Sequence, residues 1–441
     1  MKPSLILEDL TTKHKSMHKR VIVFSFLIPL ALTLCAEDWP QWRGSGRDGV
    51  WHETGIRETF PSEGLPVRWR APVGYGFSSP VVAEGRFFVT DALLDNPRVR
   101  GRVLCLEEAT GKLLWTFSRE ANNLAWAFAP GQEPGPNGTP VVRDGKVYAT
   151  GPQAHHLYCL EAASGMLVWE RDLATDYQID ETASLSASPL VDGGRVILQV
   201  GGKPDACVAA FDRKSGAEIW RSLNEPGGQS SPVIVQAGGR PQLVVWTLQS
   251  VSSLDPATGH LLWREPFSAG NSSAVATPVF SNNRLLVSGL MLKLDELQPS
   301  ASVLWPDSRA AAQRILSGIS TPLMQDGYVY SINQAGNLVC LEAETGRRVW
   351  ETDQVTREKK ASSATMHMTV NGSSVFIYNE LGELILAKLS PQGYNEVSRA
   401  TLVEPTYQFG GRKLTWAAPS FANGHVYARS EKEVVCASLR Q

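Results

Sequence analysis

The residues that could carry chemistry are scattered along this chain. Its six cysteines include no Cys-x-x-Cys and no adjacent pair, and its eight histidines include no His-Glu-x-x-His, the spacings that hold metals or exchange electrons. The neighbouring carboxylates Asp180 and Glu181 could bind calcium or act as an acid and a base, but an acidic pair on a solvated loop is the commoner explanation. No Gly-x-Ser-x-Gly, no phosphate-binding loop and no dinucleotide fingerprint in a strand–turn–helix context is present. The sequence therefore predicts no metal site and no catalytic residue.

A ten-residue motif organises the chain instead. The stretch 106-LEEATGKLLW-115 combines an acidic residue, a Ser or Thr, a Gly, and a Trp four positions after the Gly. The same pattern returns as 160-LEAASGMLVW-169, 211-FDRKSGAEIW-220, 254-LDPATGHLLW-263 and 341-LEAETGRRVW-350. Such self-similarity at a fixed period indicates a repeat architecture.

A second marker, Ser or Thr followed by Pro, begins each repeat. Its copies are 79-SPVV, 139-TPVV, 188-SPLV, 231-SPVI, 277-TPVF and 321-TPLM, with a weaker 418-APSF. Between the two markers, apolar and polar residues alternate and pairs such as Asp-Gly and Asn-Asn mark tight hairpins. Each unit therefore predicts four short antiparallel strands, and a unit of about 46 residues is typical of a β-propeller blade.

Counting the units predicts an all-β protein, an eight-bladed β-propeller of four-stranded antiparallel blades. The last unit, 416–440, ends after three strands, and 66-PVRWR-70 can supply the fourth. The N-terminal strand would then close the ring and remove an exposed sheet edge. We expect a leader and signal peptide at 1–36, an extension packing on the propeller at 37–64, and the propeller at 65–441.

The N-terminus is typical of an exported protein. Basic residues precede the apolar run 21–34, which is too short to span a bilayer and fits a signal peptide cleaved after Ala36. Either Met1 or Met17 could start the chain, and Cys35 offers a less favoured site for a lipid anchor. We expect a periplasmic or extracellular protein with no transmembrane segment after cleavage. In that compartment the other cysteines are predicted to be buried free thiols, since most occupy one equivalent strand position.

The five motifs resemble the tryptophan-docking repeat of the pyrroloquinoline-quinone-like, or quinoprotein dehydrogenase-like, propellers. The resemblance implies that the outer-strand tryptophans pack against neighbouring blades. Trp305 lacks the acidic and Thr/Ser-Gly residues of the motif, so its packing role is less defined. The expected docking residues are Trp69, Trp115, Trp169, Trp220, Trp263 and Trp350. Within the family the chain is similar to short exported bacterial propellers of unassigned function and to the outer-membrane-assembly propeller lipoprotein. The family also contains dehydrogenases that use pyrroloquinoline quinone with calcium, but this chain lacks the adjacent cysteines of the alcohol-oxidising type.

Candidate binding residues come from the connectors between blades, where three segments are unusually long. These are 116–137, 170–186 and 401–417, and they should frame one mouth of the central channel. Long loops on a rigid scaffold commonly carry binding, although aromatic residues there can also fold back onto the ring. The candidates are Trp126, Phe128, Tyr177, Asp180, Glu181, Tyr407, Arg412 and Trp416.

Two functional classes remain. The favoured one is an exported, monomeric, non-catalytic scaffold without a cofactor that binds protein, peptide or carbohydrate at one face of the ring. The alternative is a quinone- and calcium-dependent oxidoreductase acting on alcohols or sugars. A formal net charge of −2 provides no basic field for nucleic acid.

Overall fold

Antiparallel sheets of four strands repeat around this fold. The computed structural model describes residues 36–95, 98–121, 135–152, 155–179, 186–268, 270, 274–356 and 364–441. Within them, eight four-stranded sheets form the blades, which confirms the predicted fold class. The leader, the apolar run and Cys35 lie outside the described residues. Among the described helices, none has the length and apolar character needed to cross a membrane.

The first strand, β1 (Val67–Pro72), is followed by four complete blades. Tight turns join their strands, as at Asp144 and Gly145, whose φ angles of 51° and 69° suit a two-residue hairpin. Blades 1 to 4 consist of β2 (Val81–Ala83), β3 (Arg86–Asp95), β4 (Arg98–Glu107) and β5 (Leu113–Ala121); β6 (Val141–Arg143), β7 (Lys146–Thr150), β8 (His156–Glu161) and β9 (Leu167–Asp172); β10 (Leu190–Asp192), β11 (Arg195–Gly202), β12 (Ala206–Asp212) and β13 (Glu218–Ser222); β14 (Val233–Ala237), β15 (Arg240–Trp246), β16 (Ser250–Leu254) and β17 (Leu261–Pro266).

The remaining strands form blades 5 to 8, and the inner strand comes first in every blade except blade 8, whose outer strand is β1. Blades 5 to 7 consist of β18 (Val279–Ser281), β19 (Arg284–Val287), β20 (Leu290–Leu294) and β21 (Ala301–Trp305); β22 (Leu323–Gln325), β23 (Tyr328–Ile332), β24 (Leu338–Glu342) and β25 (Arg348–Thr352); β26 (Met366–Asn371), β27 (Ser374–Asn379), β28 (Glu383–Ser390) and β29 (Gly393–Thr401). A hairpin, β30 (Tyr407–Phe409) with β31 (Arg412–Leu414), precedes β32 (Ser420–Ala422), β33 (His425–Arg429) and β34 (Glu433–Ser438) of blade 8. Two short helices, α1 (Leu173–Asp176) and α2 (Arg309–Ile315), lie in connectors.

Blade 8 is completed by the N-terminal strand, as predicted. Strand β1 pairs antiparallel with β34, with Trp69 opposite Cys436 and Ala71 opposite Val434. The buried guanidinium of Arg429 in β33 reinforces this closure, because it donates to the carbonyls of Gly74, just after β1 (2.7 Å), and of Thr90 in blade 1 (2.8 Å). The two ends of the chain are therefore held in one sheet and tied to the next.

Tryptophans of the outer strands link most blades to the following one. In most blades the indole N–H donates to a carbonyl three residues before the motif Gly of the next blade. These bonds are Trp69 to Glu108 (2.8 Å), Trp115 to Ala162 (3.1 Å), Trp169 to Arg213 (3.0 Å), Trp220 to Pro256 (3.2 Å) and Trp305 to Ala343 (2.9 Å). Trp350 similarly reaches Ser390 of blade 7 (2.8 Å). Trp263 differs: its indole donates to Gln242 of its own blade (2.7 Å), and the next blade carries no Thr/Ser-Gly motif.

The cysteines lie across the sheet from these tryptophans. Cys105, Cys159, Cys340 and Cys436 each stand opposite a docking Trp of the same blade. They and Cys207 are buried and carry no disulfide. Burial raises the pKa of the Cys105 thiol to about 12, so it stays protonated and unreactive near neutral pH. The described cysteines therefore serve as small packing residues.

Hydroxyl groups form a belt around the channel and explain the Ser/Thr-Pro marker. At four junctions between blades, the hydroxyl of a marker residue accepts a hydrogen bond from the backbone N–H of the marker residue one blade earlier. The bonds are Ser79 N–H to Thr139 (3.0 Å), Thr139 N–H to Ser188 (3.0 Å), Ser188 N–H to Ser231 (3.0 Å) and Thr277 N–H to Thr321 (3.1 Å). The marker thus joins inner strands of successive blades.

Residues 38–50, which we call the plug, close one end of the channel. The backbone of Trp39 pairs with Val82 in β2, and that of Val50 pairs with Val370 in β26. Near the plug's tip, the buried Arg47 guanidinium donates to carbonyls at Ser188, Pro189 and Pro232, each at 3.0 Å. Inner strands from opposite sides of the ring converge only on the channel, so the plug must occupy it. It enters from the side of the β2–β3 turn, where Glu84 N–H binds Asp38 (3.0 Å).

Candidate functional site

The connectors between blades share one face of the ring, which we call the connector face. Each leads from an outer strand to the next inner strand, so all of them leave the sheets at the same end. The hairpin β30–β31 and both short helices belong to this face. The opposite side, the hairpin face, carries tight turns and the entry of the plug. Enlarged segments are therefore concentrated around one mouth of the channel.

An aromatic cluster lies on the connector face between blades 8 and 1. The ring of Phe77, just before blade 1, is 4.9 Å from that of Tyr407 and 5.3 Å from that of Trp416. Phe409 packs edge-on against Trp416 at 4.8 Å. Tyr407 is buried, whereas Phe409 remains 37% exposed. The hairpin β30–β31 thus carries a rigid aromatic group with one open side.

An ion pair anchors this hairpin to blade 7. Arg412 in β31 pairs with Glu380, whose side chain is only 1% exposed. A second oxygen of Glu380 accepts from the N–H of Thr365 (3.1 Å). A carboxylate removed from water needs a cation and hydrogen bonds, and Arg412 supplies the cation. The side chain of Arg412 therefore holds the loop in place as well as bordering the aromatic cluster.

Tyr177 is placed differently from the other candidates. It follows α1, is 1% exposed, and packs against Phe211 of blade 3. Its hydroxyl donates to Glu218 in β13 at 2.5 Å. Burial, together with the bond to Glu218, raises the pKa of Tyr177 above its ordinary value. In this conformation Tyr177 anchors its connector to the ring and presents no open surface.

The structure brings together some of the candidates. Tyr407 and Trp416 share the aromatic cluster, and Arg412 lies on the same hairpin. The candidates Trp126, Phe128, Asp180 and Glu181 lie outside the described residues, so their role stays a prediction. Sequence reasoning missed Phe77 and Phe409. Phe409 was within the selected connector, but nothing in the linear sequence links Phe77 to residues more than 300 positions away.

The described channel does not fit a quinone held by calcium. Arg47 occupies the channel interior, and the belt around it offers hydroxyl groups rather than carboxylates. Across the described ranges, no three His, Cys, Asp or Glu side chains are grouped to hold a metal ion. The described thiols are buried and each lies in a different blade. These residues provide no cation site, and the plug occupies the channel where a central cofactor would lie.

Comparison with known proteins places this architecture. A family model described as "Outer membrane protein assembly factor BamB" matches residues 99–205 and 204–403, well over half of the chain. The chain belongs to this family. A curated BamB from Moranella endobia is 25% identical over 253 residues, covering 54% of this chain and 62% of the relative. The chain thus spans about three fifths of the length of the curated BamB proteins it matches.

Solved structures show the same fold. The crystal structure of BamB from Moraxella catarrhalis superposes with a TM-score of 0.57 and 16% identity, over 85% of this chain and 99% of that one. The quinohemoprotein alcohol dehydrogenase from Comamonas testosteroni superposes with a TM-score of 0.63 and 15% identity, over 91% and 80%. At such low identity, BamB and the dehydrogenase indicate the fold alone.

Proposed function

We propose that this chain is a non-catalytic scaffold of the BamB type, which binds a protein or peptide segment at the aromatic cluster on its connector face. The observation that carries the proposal is the cluster itself. Phe77, Tyr407 and Trp416 hold one another in place, and Phe409 presents an exposed ring. Rigid aromatic residues contribute most to affinity at protein interfaces, because they bury a large area and lose little conformational freedom.

A polypeptide suits this surface better than a carbohydrate. Sugars need several side-chain donors and acceptors beside the aromatic ring, but here Arg412 and Glu380 are engaged with each other. Membership of the BamB family supports a role in outer membrane protein assembly. We further propose that the chain acts after export, as a monomer and without a cofactor. The alternative of a quinone-dependent oxidoreductase is disfavoured by the plug inside the channel.

A site-specific crosslink in the native cell envelope tests the proposal. A photoreactive phenylalanine analogue placed at position 409 should capture an outer membrane protein or a component of its assembly machinery. The matched control places the same analogue at Leu297, which is 90% exposed on the hairpin face and should capture neither. Equal capture at both positions, or capture at position 297 alone, would contradict the proposal that the partner binds on the connector face.

A substitution links this contact to function. Phe409→Ser should change the free energy of unfolding by about 1 kcal/mol or less, because the ring is partly exposed. It should nevertheless fail to restore outer membrane protein levels in a strain lacking the gene, while Leu297→Ser restores them. Full complementation by Phe409→Ser would show that the aromatic cluster is not the functional contact.

A further inference from the structure

A cleft in the channel, separate from the connector-face cluster, is not accounted for by the proposed scaffold. It lies between the plug and the inner ends of blades 6, 7, 8 and 1, and it is small and partly open to solvent. Trp42 and Arg43 of the plug form one wall. Ser79, Thr321, His367 and Ala418 form the other.

The cleft coincides with a break in the hydroxyl belt. In blade 1, Ser79 lies four residues before the last residue of the inner strand. His367 of blade 7 and Ala418 of blade 8 occupy the same position in their own blades. Neither residue has a hydroxyl group to continue the belt. The repeat therefore departs from its rule in blades 7 and 8, two of the four blades that line the cleft.

Ser79 departs from the belt as well, because the backbone N–H of Ala418, its counterpart one blade earlier, does not bond to its hydroxyl. In the intact part of the belt, each hydroxyl is bonded to a backbone N–H of the preceding blade. Ser79 is 1% exposed, and its Oγ has no hydrogen-bond partner among the described residues. A buried hydroxyl without a partner is costly, so this group is poised to bind a ligand that enters the cleft.

The plug adds positive charge to the same place. The Arg43 guanidinium donates to the Asp48 carbonyl at 2.5 Å. Arg47 bonds to backbone carbonyls and to Gln41. Within the described part of the chain, neither guanidinium forms an ion pair. The carboxylate of Asp48 partly offsets Arg43, but this residue is exposed and accepts from Val50 N–H. Burial lowers the pKa of Arg43 to about 10 and that of Arg47 to about 9, as expected for cations short of a counter-ion.

His367 restricts what the cleft can hold. Its Nε2 lies 2.9 Å from the carbonyl oxygen of Trp416, and a carbonyl only accepts, so Nε2 carries the proton. Burial and the charge of Arg43 lower the pKa of His367 to about 4, which makes the ring neutral at pH 7. The imidazole and the Ala418 methyl group thus form a largely uncharged surface in the wall that faces Arg43.

We propose that this cleft binds a small carboxylate, held by the guanidinium of Arg43 and the hydroxyl of Ser79. A planar carboxylate accepts hydrogen bonds from both groups and supplies the missing negative charge. Its short apolar end packs against Trp42 and Ala418. The carboxylate belongs either to a free acid such as acetate or to the C-terminus of a peptide.

Calorimetric titration of the full chain tests this site. The probes are acetate, a short peptide with a free C-terminus and the same peptide amidated, at constant ionic strength and pH 7. We expect saturable binding of acetate, of the free-acid peptide, or of both, and none of the amidated peptide. Acetate binding identifies a free acid as ligand, whereas binding of the peptide acid alone identifies a chain terminus. Absence of both, or equal binding of chloride or phosphate, would overturn the proposal.

Two substitutions at equivalent belt positions separate binding from stability. Ser79→Ala removes an unpartnered hydroxyl, so it should weaken carboxylate binding about tenfold without lowering the melting temperature. Ser188→Ala removes the acceptor for Thr139 N–H, so it should lower the melting temperature and leave binding unchanged. Arg43→Gln should weaken binding further than Ser79→Ala. Unaltered affinity in both Ser79→Ala and Arg43→Gln would show that the carboxylate binds elsewhere.

Discussion

Single glycines decide how closely one blade approaches the next. A Cβ on Gly216 would lie 2.8 Å from atoms of the Trp169 indole, and equivalent glycines are as close to the indoles of Trp115 and Trp220. The φ of Gly216 is also 73°, where a side chain is strained. The Thr/Ser-Gly turn therefore needs glycine for two reasons, its backbone conformation and the flat space that receives the indole.

Gly216→Ala should accordingly destabilise the ring through the docked indole. We expect a loss of about 3–5 kcal/mol, combining about 1–2 kcal/mol of backbone strain with the cost of displacing Trp169. Gly145→Ala is the matched control, since its φ is 69° but nothing lies within 4 Å of the added Cβ, and it should lose only the strain. Chemical denaturation gives both values, and equal losses would show that the indole contact adds nothing.

At the level of strands, closure of the ring depends on β1. Val73 N–H donates to the Lys432 carbonyl at 3.0 Å. In an antiparallel pair, every second residue points its N–H toward the partner strand, so the N–H of Ala71, two residues earlier, also points toward β34. Pro72 lies between these two residues, at a position where a backbone N–H would point away from the sheet. The single proline of this strand is thus at a tolerated position.

A second proline one residue earlier should open the ring. Ala71→Pro removes a hydrogen bond to β34, and we expect it to lower the free energy of unfolding by about 3 kcal/mol and to promote aggregation through the exposed edge. Arg70→Pro is the control in the outward phase, and it should lose only the weak surface contacts of Arg70, about 1 kcal/mol. Denaturation and light scattering compare them, and an equally tolerated Ala71→Pro would contradict closure through this pairing.

At the scale of the complete ring, the burial of His367 in the filled channel makes the free energy of unfolding depend on pH. The pKa of this residue is about 4 in the folded chain and about 6.5 when unfolded. Below pH 6.5 the unfolded state binds a proton that the folded state does not. The stabilisation is therefore fully present above pH 6.5, falls as the pH decreases, and is lost by about pH 4.

His367→Gln should remove this component, because an amide can still donate to the Trp416 carbonyl but does not titrate. In acetate-free buffer, we expect wild-type unfolding free energy to fall by about 2–3 kcal/mol more than that of the variant between pH 6.5 and 4. Replacing the exposed His260 with Gln should leave the wild-type profile unchanged. Parallel profiles for His367→Gln and the wild type would show that His367 does not sense pH.

The sequence by itself determined the blades and their number. Strand alternation, hairpin residues and the two markers are local signals repeated many times, so errors in one unit are corrected by the others. It also determined closure, because three strands at one end and one at the other leave a single way to complete a four-stranded sheet. In contrast, the Ser/Thr-Pro marker was recognisable as a pattern, but its role in joining inner strands required neighbouring blades to be seen together.

Only the tertiary structure decided what lies in the channel and at its mouth. The opening 39-WPQWRGSGRDG-49 was expected to pack on the propeller, but its position on the axis depends on hydrogen bonds from Arg47 to backbone carbonyls about 140 and 185 residues away. The aromatic cluster and the cleft likewise combine residues from opposite ends of the chain. Local periodicity carries no information about such pairs, because they become neighbours only when the last blade closes against the first.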